Sequence, residues 1–199
     1  MICTDGGGLF KLDGKKITRI DLPTVENENV RDAYVHSGVL YLATRGGVLK
    51  STDLKKFTLW KELGDHSFSS IRGNEEYILF TSFNWGVYKW DLSSRKIITI
   101  DSEKLRYPIN GSYIDEKGIV WLNSQNGIIL LDSDNQVSFL DESNGLPVNV
   151  ISCFYQDHNN NMWIGSEGKG IFRFPGKLFK YYDQSTGLLS DLYLSGFQK

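Results

Sequence analysis

The sequence repeats itself five times at a spacing of about 40 residues, and this period constrains the fold more than any other feature. Each copy consists of an apolar run, a short polar loop that ends in glycine, and a second apolar run. The marker glycines are Gly8, Gly47, Gly86, Gly127 and Gly170, so successive copies lie 39, 39, 41 and 43 residues apart. Two extended runs joined in this way predict a β-hairpin, because glycine readily adopts the positive φ that the turn needs.

Two further strands accompany each hairpin. The hairpins are predicted at 1–13, 40–50, 78–91, 120–132 and 162–174. A third strand follows each one, at Lys16–Ile20, Phe57–Trp60, Lys96–Ile100, Gln136–Leu140 and Phe179–Tyr182. A fourth strand is predicted at Val30–His36, Ser67–Arg72, Ile109–Asp115, Asn149–Asp157 and finally Asp191–Phe197. Four short strands in every 40 residues predict an all-β fold, a β-propeller of four-stranded antiparallel blades.

The strands of a blade are called A to D from the hub outward, so each hairpin is B–C. We predict a single propeller domain or fragment over 1–199, with blades at 1–29 plus 190–199, 30–66, 67–107, 108–147 and 148–189. The first copy lacks its A strand, and Asp191–Phe197 would supply it if the ring closes with five blades. Because propellers have about four to eight blades, the alternative is a slice of a larger propeller.

Composition excludes several classes of protein. The chain has 22 Lys and Arg against 24 Asp and Glu, without the basic stripe of a nucleic-acid binder, so we expect no nucleic-acid partner. The longest apolar run, 127–131, is too short to span a bilayer, so we expect no direct membrane contact. The N-terminus lacks the pattern of a signal peptide, so we expect the chain to be either cytoplasmic or a piece of a longer exported protein. Cys3 and Cys153 are expected to be small buried hydrophobes, and whether they lie close together is open.

The last copy carries the motifs of a known family. It begins with the turn Asn144-Gly145-Leu146-Pro147, and its inner strand leads to Asp157. It continues with Met162-Trp163-Ile164-Gly165-Ser166 and ends with Gly170-Ile171-Phe172-Arg173-Phe174. This pattern resembles the two-component regulator propeller repeat. The fourth copy matches it through Asp115, Trp121, Gly127 and Asp132, while the first three copies match in hairpin and spacing.

The resemblance implies a function. Propellers of this family form the extracytoplasmic sensor of hybrid histidine kinases in gut Bacteroidetes, where glycan fragments are typical inputs. For this chain it implies a non-enzymatic, periplasmic ligand-sensing module of a larger membrane-anchored receptor, which needs no cofactor and detects an oligosaccharide. The alternative is a protein-interaction or dimerisation scaffold, with a possible homodimer through the propeller faces. A hydrolase or lyase is the third hypothesis, for which Asp5 and Glu167 are the carboxylates that the B–C loops offer.

In a propeller the B–C and D–A loops share one rim around the channel, which is the usual binding surface. We predict ligand-binding residues in the B–C loops: Arg45, Phe83, Asn84, Trp85, Gln125, Asn126, Glu167 and Lys169. Aromatic rings flanked by amides suit a sugar, because the ring stacks on its apolar face and amides bind its hydroxyls. Alternatively, Trp85 folds back on its own blade. The D–A loops add Asn29, His66, Tyr107 and Asn149.

We predict neither a metal site nor a catalytic residue. His36, His66 and His158 belong to different blades and have no second ligand close in sequence. The segment 157–161 has the Asp-x-Asn-x-Asn spacing of a calcium loop, but Met162 and Gly168 stand where such a loop needs glycine and glutamate, which favours a polar A–B turn. Trp121 and Trp163 occupy equivalent B-strand positions and are expected to pack between blades.

Overall fold

The computed structural model describes residues 1–24, 28–84, 86–100, 102–105, 107–146, 150–175 and 180–189. These residues form nineteen strands in five antiparallel sheets, with short 3-10 helices in the connections. The chain divides into two compact units, Met1–Asp101 and Ser102–Lys199. Among the described residues, no helix is long and apolar enough to cross a membrane.

The first unit contains three sheets in chain order. Sheet 1 has three strands: β1 (Ile2–Thr4), β2 (Gly8–Asp13) and β3 (Lys16–Ile20). Sheet 2 consists of β4 (Val30–His36), β5 (Val39–Thr44), β6 (Gly47–Ser51) and β7 (Thr58–Leu59). Sheet 3 consists of β8 (Phe68–Gly73), β9 (Tyr77–Ser82), β10 (Val87–Asp91) and β11 (Ile97–Ile100). In each sheet, strands that follow one another in sequence are neighbours.

The second unit contains two sheets with the same meander. Sheet 4 consists of β12 (Ile109–Ile114), β13 (Val120–Ser124), β14 (Gly127–Leu131) and β15 (Val137–Leu140). Sheet 5 consists of β16 (Ile151–Gln156), β17 (Met162–Ser166), β18 (Ile171–Phe174) and β19 (Lys180–Tyr182). The all-β prediction of four-stranded antiparallel propeller blades is confirmed, with sheet 1 showing three strands among the described residues.

Several predicted strand ends differ from the structure. The outer strand of sheet 2 is two residues long. The buried Phe57 precedes it, and the buried Trp60 follows it, although the amide of Trp60 still donates to the carbonyl of Val48 at 2.8 Å. The A strand of sheet 5 begins at Ile151, whereas the sequence predicted Asn149. The strand predicted at Asp191–Phe197 lies outside the described residues, so the blade boundaries and the closure of a ring stay predictions.

The sheets within a unit pack face to face. Strand β5 is buried on both sides: Leu40 and Leu42 pack against sheet 1, while Tyr41 and Ala43 pack against sheet 3. Because side chains alternate between the two faces of a strand, a strand enclosed in this way needs a continuous apolar run. In the second unit, Trp121 of sheet 4 packs against apolar residues of sheet 5.

One hydrogen bond recurs in all five B–C hairpins. The last residue of each B strand is Ser or Thr, and its hydroxyl donates to the carbonyl of the marker glycine. The donors are Thr4, Thr44, Ser82, Ser124 and Ser166, with distances of 2.8, 2.8, 3.0, 3.1 and 2.9 Å. All five glycines have positive φ, between 79° and 121°. Since this bond and the glycine hold the turn, the loop residues between them are free to vary in type.

Candidate functional site

Four of the A strands carry a β-bulge close to their first residue. The pairing register shifts between Val30 and Asp32, Phe68 and Ser70, Ile109 and Gly111, and Ile151 and Cys153. The extra residues that this leaves out of the ladder are all polar: Arg31, Ser69, Asn110 and Ser152. Bulges often occur beside functional sites, where they redirect a side chain. Sequence reasoning treated these strands as regular, although a polar residue directly after the first apolar one was the available signal.

In the first unit, the B–C loops are hydrogen-bonded to the segments that precede the A strands. The amide of Arg45 donates to the carbonyl of Asn29 at 3.2 Å, and the amide of Phe83 donates to the carbonyl of Ser67 at 3.0 Å. The side-chain amide of Asn29 in turn donates to the carboxylate of Asp5. We call the residues Asp5, Asn29, Arg31, Arg45, Ser67, Phe83 and Asn84 the first rim.

Phe83, which was predicted as an exposed stacking surface, is half-buried and lies under an arginine. The guanidinium carbon of Arg31 is 4.9 Å from the centre of the Phe83 ring. Nη1 of Arg31 also donates to the hydroxyl of Ser67 at 2.9 Å. One face of the ring is therefore covered by a cation and is closed to a sugar while that contact persists. Neighbouring Asn84 is exposed, and Trp85 lies outside the described residues.

An ion pair connects the A strands of sheets 2 and 3 beside the first rim. The carboxylate of Asp32 accepts hydrogen bonds from the guanidinium of Arg72 and from the amide of Ile71, the latter at 3.0 Å. Asp32 directly follows the bulge residue Arg31. Both oxygens of this carboxylate are used within the protein, since the second accepts from the amide of Ala33 at 2.9 Å.

His66, a predicted D–A loop residue, packs below the first rim. Its ring stacks on Phe68 with centroids 4.8 Å apart, and its Nε2 lies 3.1 Å from the hydroxyl of Tyr88. Burial lowers the pKa of His66, because the imidazolium ion is poorly solvated there, while nearby Asp65 opposes the shift. The histidine therefore acts as a packed aromatic ring at neutral pH.

In the second unit, the predicted loop residues project into solvent. Gln125, Asn126, Glu167 and Lys169 are all exposed, as is the bulge residue Asn110. The amide of Glu167 donates to the carbonyl of Val150 at 3.2 Å, which joins the B–C loop of sheet 5 to the start of its A strand. We call the residues Asn110, Gln125, Asn126, Val150, Ser152, Glu167 and Lys169 the second rim. Tyr107 is 46% exposed in the same unit, and Asn149 lies outside the described residues.

The motif aspartates of sheets 4 and 5 organise turns. Asp157 accepts from the indole N–H of Trp163 at 2.7 Å and from the amides of Asn159 and Asn161, each at 2.9 Å. These bonds lower the pKa of Asp157, with the one from Trp163 contributing most. The predicted polar A–B turn is thus confirmed at residues 157–161. Asp115 accepts from Trp121 in the same way, at 2.9 Å.

The two motif tryptophans differ in their packing. The Trp121 ring lies 6.1 and 5.7 Å from the rings of Phe154 and Phe174 in the adjacent sheet, which confirms the predicted packing between blades. The Trp163 ring is half-buried and stacks on Tyr182 of its own sheet at 5.8 Å. Cys3 and Cys153 are free thiols, and both are half-buried.

Comparison with known proteins identifies the repeat. The two component regulator propeller family matches residues 145–168, where the sequence resemblance is strongest. The extracellular domain of a hybrid two component system from B. thetaiotaomicron has a similar structure, with a TM-score of 0.80, 22% identity and 98% of this chain covered. A one component system from the same organism gives a TM-score of 0.70 at 16% identity, with 96% covered. This chain spans 28% of the length of each of those two domains.

The fold also occurs in an enzyme. Virginiamycin B lyase from Staphylococcus aureus aligns over 89% of this chain and 63% of its own, with a TM-score of 0.69 and 16% identity. At such identities the likeness concerns the fold, and function depends on the residues of the site. No curated protein matches the sequence significantly. Among the described residues there is no group of three or more His, Cys, Asp or Glu side chains arranged to hold a metal.

Proposed function

Because the chain carries a two component regulator propeller repeat on a propeller fold, we propose that it is a non-enzymatic sensing segment of a two-component receptor. The observation that carries this proposal is the coincidence of the family match at 145–168 with a similar extracellular domain that covers 98% of the chain. On this proposal the chain lies on the extracytoplasmic side of a membrane-anchored protein, in the periplasm, and its output comes from another part of that protein.

We further propose that the ligand is an oligosaccharide bound by residues of the B–C loops. The second rim supports this, because two amides and two opposite charges stand exposed on adjacent hairpins: Gln125, Asn126, Glu167 and Lys169. Amides both donate and accept hydrogen bonds, as sugar hydroxyls require. Every one of these side chains lies on a hairpin that a serine hydroxyl and a glycine hold in place. A rigid support of this kind reduces the entropy that binding costs.

The test is a glycan array probed with the intact chain, followed by calorimetry on each glycan that binds. We expect Asn126→Ala to weaken binding about tenfold, as the loss of a hydrogen bond to a ligand hydroxyl predicts. Asn159→Ala is the matched control, because Asn159 is an exposed asparagine in the A–B turn, at the other end of the strands. Equal affinities for the two variants would remove Asn126 from the site, and an array without any binder would contradict the oligosaccharide.

A scaffold function is the second candidate, and an exposed apolar pair on sheet 1 favours it. Leu12 and Ile17 are directly paired across β2 and β3, with exposures of 51% and 59%. Exposed apolar side chains next to each other often belong to a protein interface. Sedimentation of the chain tests this candidate: self-association that Leu12→Ser and Ile17→Ser abolish would support it, and a monomer at all concentrations would contradict a homodimer.

A further inference from the structure

Arg31 is the charged member of the four bulge residues, and the bulge places it at the end of β4 next to the B–C loop of its own sheet. Val30, directly before it, pairs with Thr44, and Asp32, directly after it, pairs with Ala43. Arg31 therefore has no partner in the ladder, and its side chain is exposed. Arg45, also exposed, follows Thr44, so the same end of sheet 2 carries two arginines.

Two contacts hold the Arg31 side chain in one orientation. Its guanidinium group lies over the ring of Phe83 at 4.9 Å, and one of its amino groups donates to Ser67 at 2.9 Å. A cation over an aromatic ring is stabilised by the electron-rich face of the ring. Since Ser67 uses one N–H of the five that a guanidinium carries, most donors stay available to a ligand. An arginine that is already oriented loses less rotamer entropy when it binds one.

The charge of Arg31 is not neutralised by a nearby carboxylate in the part of the chain that the structure describes. The three ion pairs found there are Lys11–Asp13, Arg19–Glu28 and Arg72–Asp32. Asp32, the carboxylate next to Arg31 in sequence, is occupied by Arg72 and two backbone amides. Asp5 accepts from the side chain of Asn29. The first rim thus presents two arginines against one aspartate, on a chain whose net charge is −2.

We infer that Arg31 binds an anionic group, a carboxylate or a sulfate ester, on the sugar ligand. This inference rests on the proposed oligosaccharide and narrows it to an acidic one. A guanidinium is planar and offers paired N–H groups that match two oxygens of such an anion, which gives both affinity and direction. Ser67 and Phe83 are positioning residues in this arrangement, because they act on the ligand through Arg31.

The experiment follows the side-chain Nε–H signal of Arg31 by NMR in chain labelled with 15N-arginine, with Arg31→Gln used to assign the signal. The titrants are galacturonate, galactose 6-sulfate and neutral galactose at equal concentration and ionic strength. We expect the signal to shift with one or both acids and to stay unchanged with galactose. A shift with galacturonate alone identifies a carboxylate, and a shift with the sulfated sugar alone identifies a sulfate ester. The signal of Arg95, exposed in the β10–β11 turn, is the internal control.

The variants Arg31→Gln and Arg95→Gln then test affinity for the glycans found on the array. Arg31→Gln is expected to weaken binding of acidic glycans at least about tenfold, as the loss of a charged hydrogen-bond pair predicts, and Arg95→Gln, with the same change of charge, to leave it unchanged. An Arg31 signal that neither acid moves, or that moves only as the Arg95 signal does, overturns the inference. Acidic glycans bound equally by Arg31→Gln and by the wild type would also overturn it, while leaving the sensor proposal intact. An array without binders contradicts the oligosaccharide, and the NMR titration still decides whether Arg31 binds anions.

Discussion

Gly170 and Gly118 form a matched pair that separates two reasons for glycine in a turn, namely the positive φ and the lack of room for a Cβ atom. Both have a φ of +79°, which L side chains rarely adopt, and both belong to the unit Ser102–Lys199. A Cβ atom at Gly118 would meet no atom within 4 Å, whereas one at Gly170 would overlap the carbonyl of Tyr182. Replacing each with alanine therefore adds the same strain, and the steric conflict arises at Gly170 alone.

The expected magnitudes follow from these contacts. Gly118→Ala should cost about 1 kcal/mol of unfolding free energy, the usual cost of an alanine with positive φ. Gly170→Ala must in addition push β19 away from β18 at the Ile171–Tyr182 pair. This displacement breaks one or two ladder hydrogen bonds, at about 1 kcal/mol each, and loosens the packing of the buried Phe172. The total loss of unfolding free energy for Gly170→Ala is therefore expected to be about 3–5 kcal/mol.

The assay is urea unfolding of both variants and the wild type, followed by tryptophan fluorescence. Both substitutions act on the same unit, so their effects are read from the same urea transition. The midpoint and slope of that transition give the free energy of unfolding of each variant. We expect the difference between the variants to be at least about 2 kcal/mol. If Gly170→Ala falls within about 0.5 kcal/mol of Gly118→Ala, the close approach of the outer strand does not constrain this position and the reasoning is wrong.

Two further predictions concern the same sheet. Ser166→Ala removes the hydroxyl bond to the carbonyl of Gly170 and should cost about 1 kcal/mol of unfolding free energy in the same urea assay. No effect is expected from Ser133→Ala, which changes an exposed serine of the same unit. The pKa of Asp157 is lowered in the folded chain, so the stability from its ionised form is present above about pH 4 and is lost as the pH falls further. In thermal melts between pH 7 and pH 2, the melting temperature of Asp157→Asn should therefore fall less than that of the wild type. If the two melting temperatures fall in parallel with pH, Asp157 does not have this role.

Much of the fold could be predicted from the sequence because its determinants are local. A hairpin needs two extended runs and a residue that tolerates positive φ, and the spacing of Gly8, Gly47, Gly86, Gly127 and Gly170 marks all five hairpins. The continuous apolar run of β5 already indicates a strand buried on both faces. Strand order follows from short connections, which favour neighbours in sequence. The sequence predicted the ends of strands less well, as the short β7 shows, because the burial of Phe57 in the core depends on residues of other strands.

The candidate site could be predicted only in part. The sequence located the exposed residues of the second rim, among them Asn126 and Lys169, because loops between regular strands must lie at the surface. It also named Phe83, but as an open ring for a sugar. The prediction for Trp85 and the predicted strand at Asp191–Phe197 stay predictions, since both lie outside the described residues.

Only the tertiary structure decided how residues distant in sequence combine. A polar residue after the first apolar one does not by itself locate a bulge, so Arg31 could be recognised as unpaired only from the register of β4 with β5. Arg31 contacts Phe83, which lies 52 positions further along the chain (83 − 31). The packing of sheets 2 and 3 sets the distance between the guanidinium group and the ring. The sequence by itself therefore determined the repeated hairpin, whose causes are local, while the placement of a charge over a ring depended on how neighbouring blades pack.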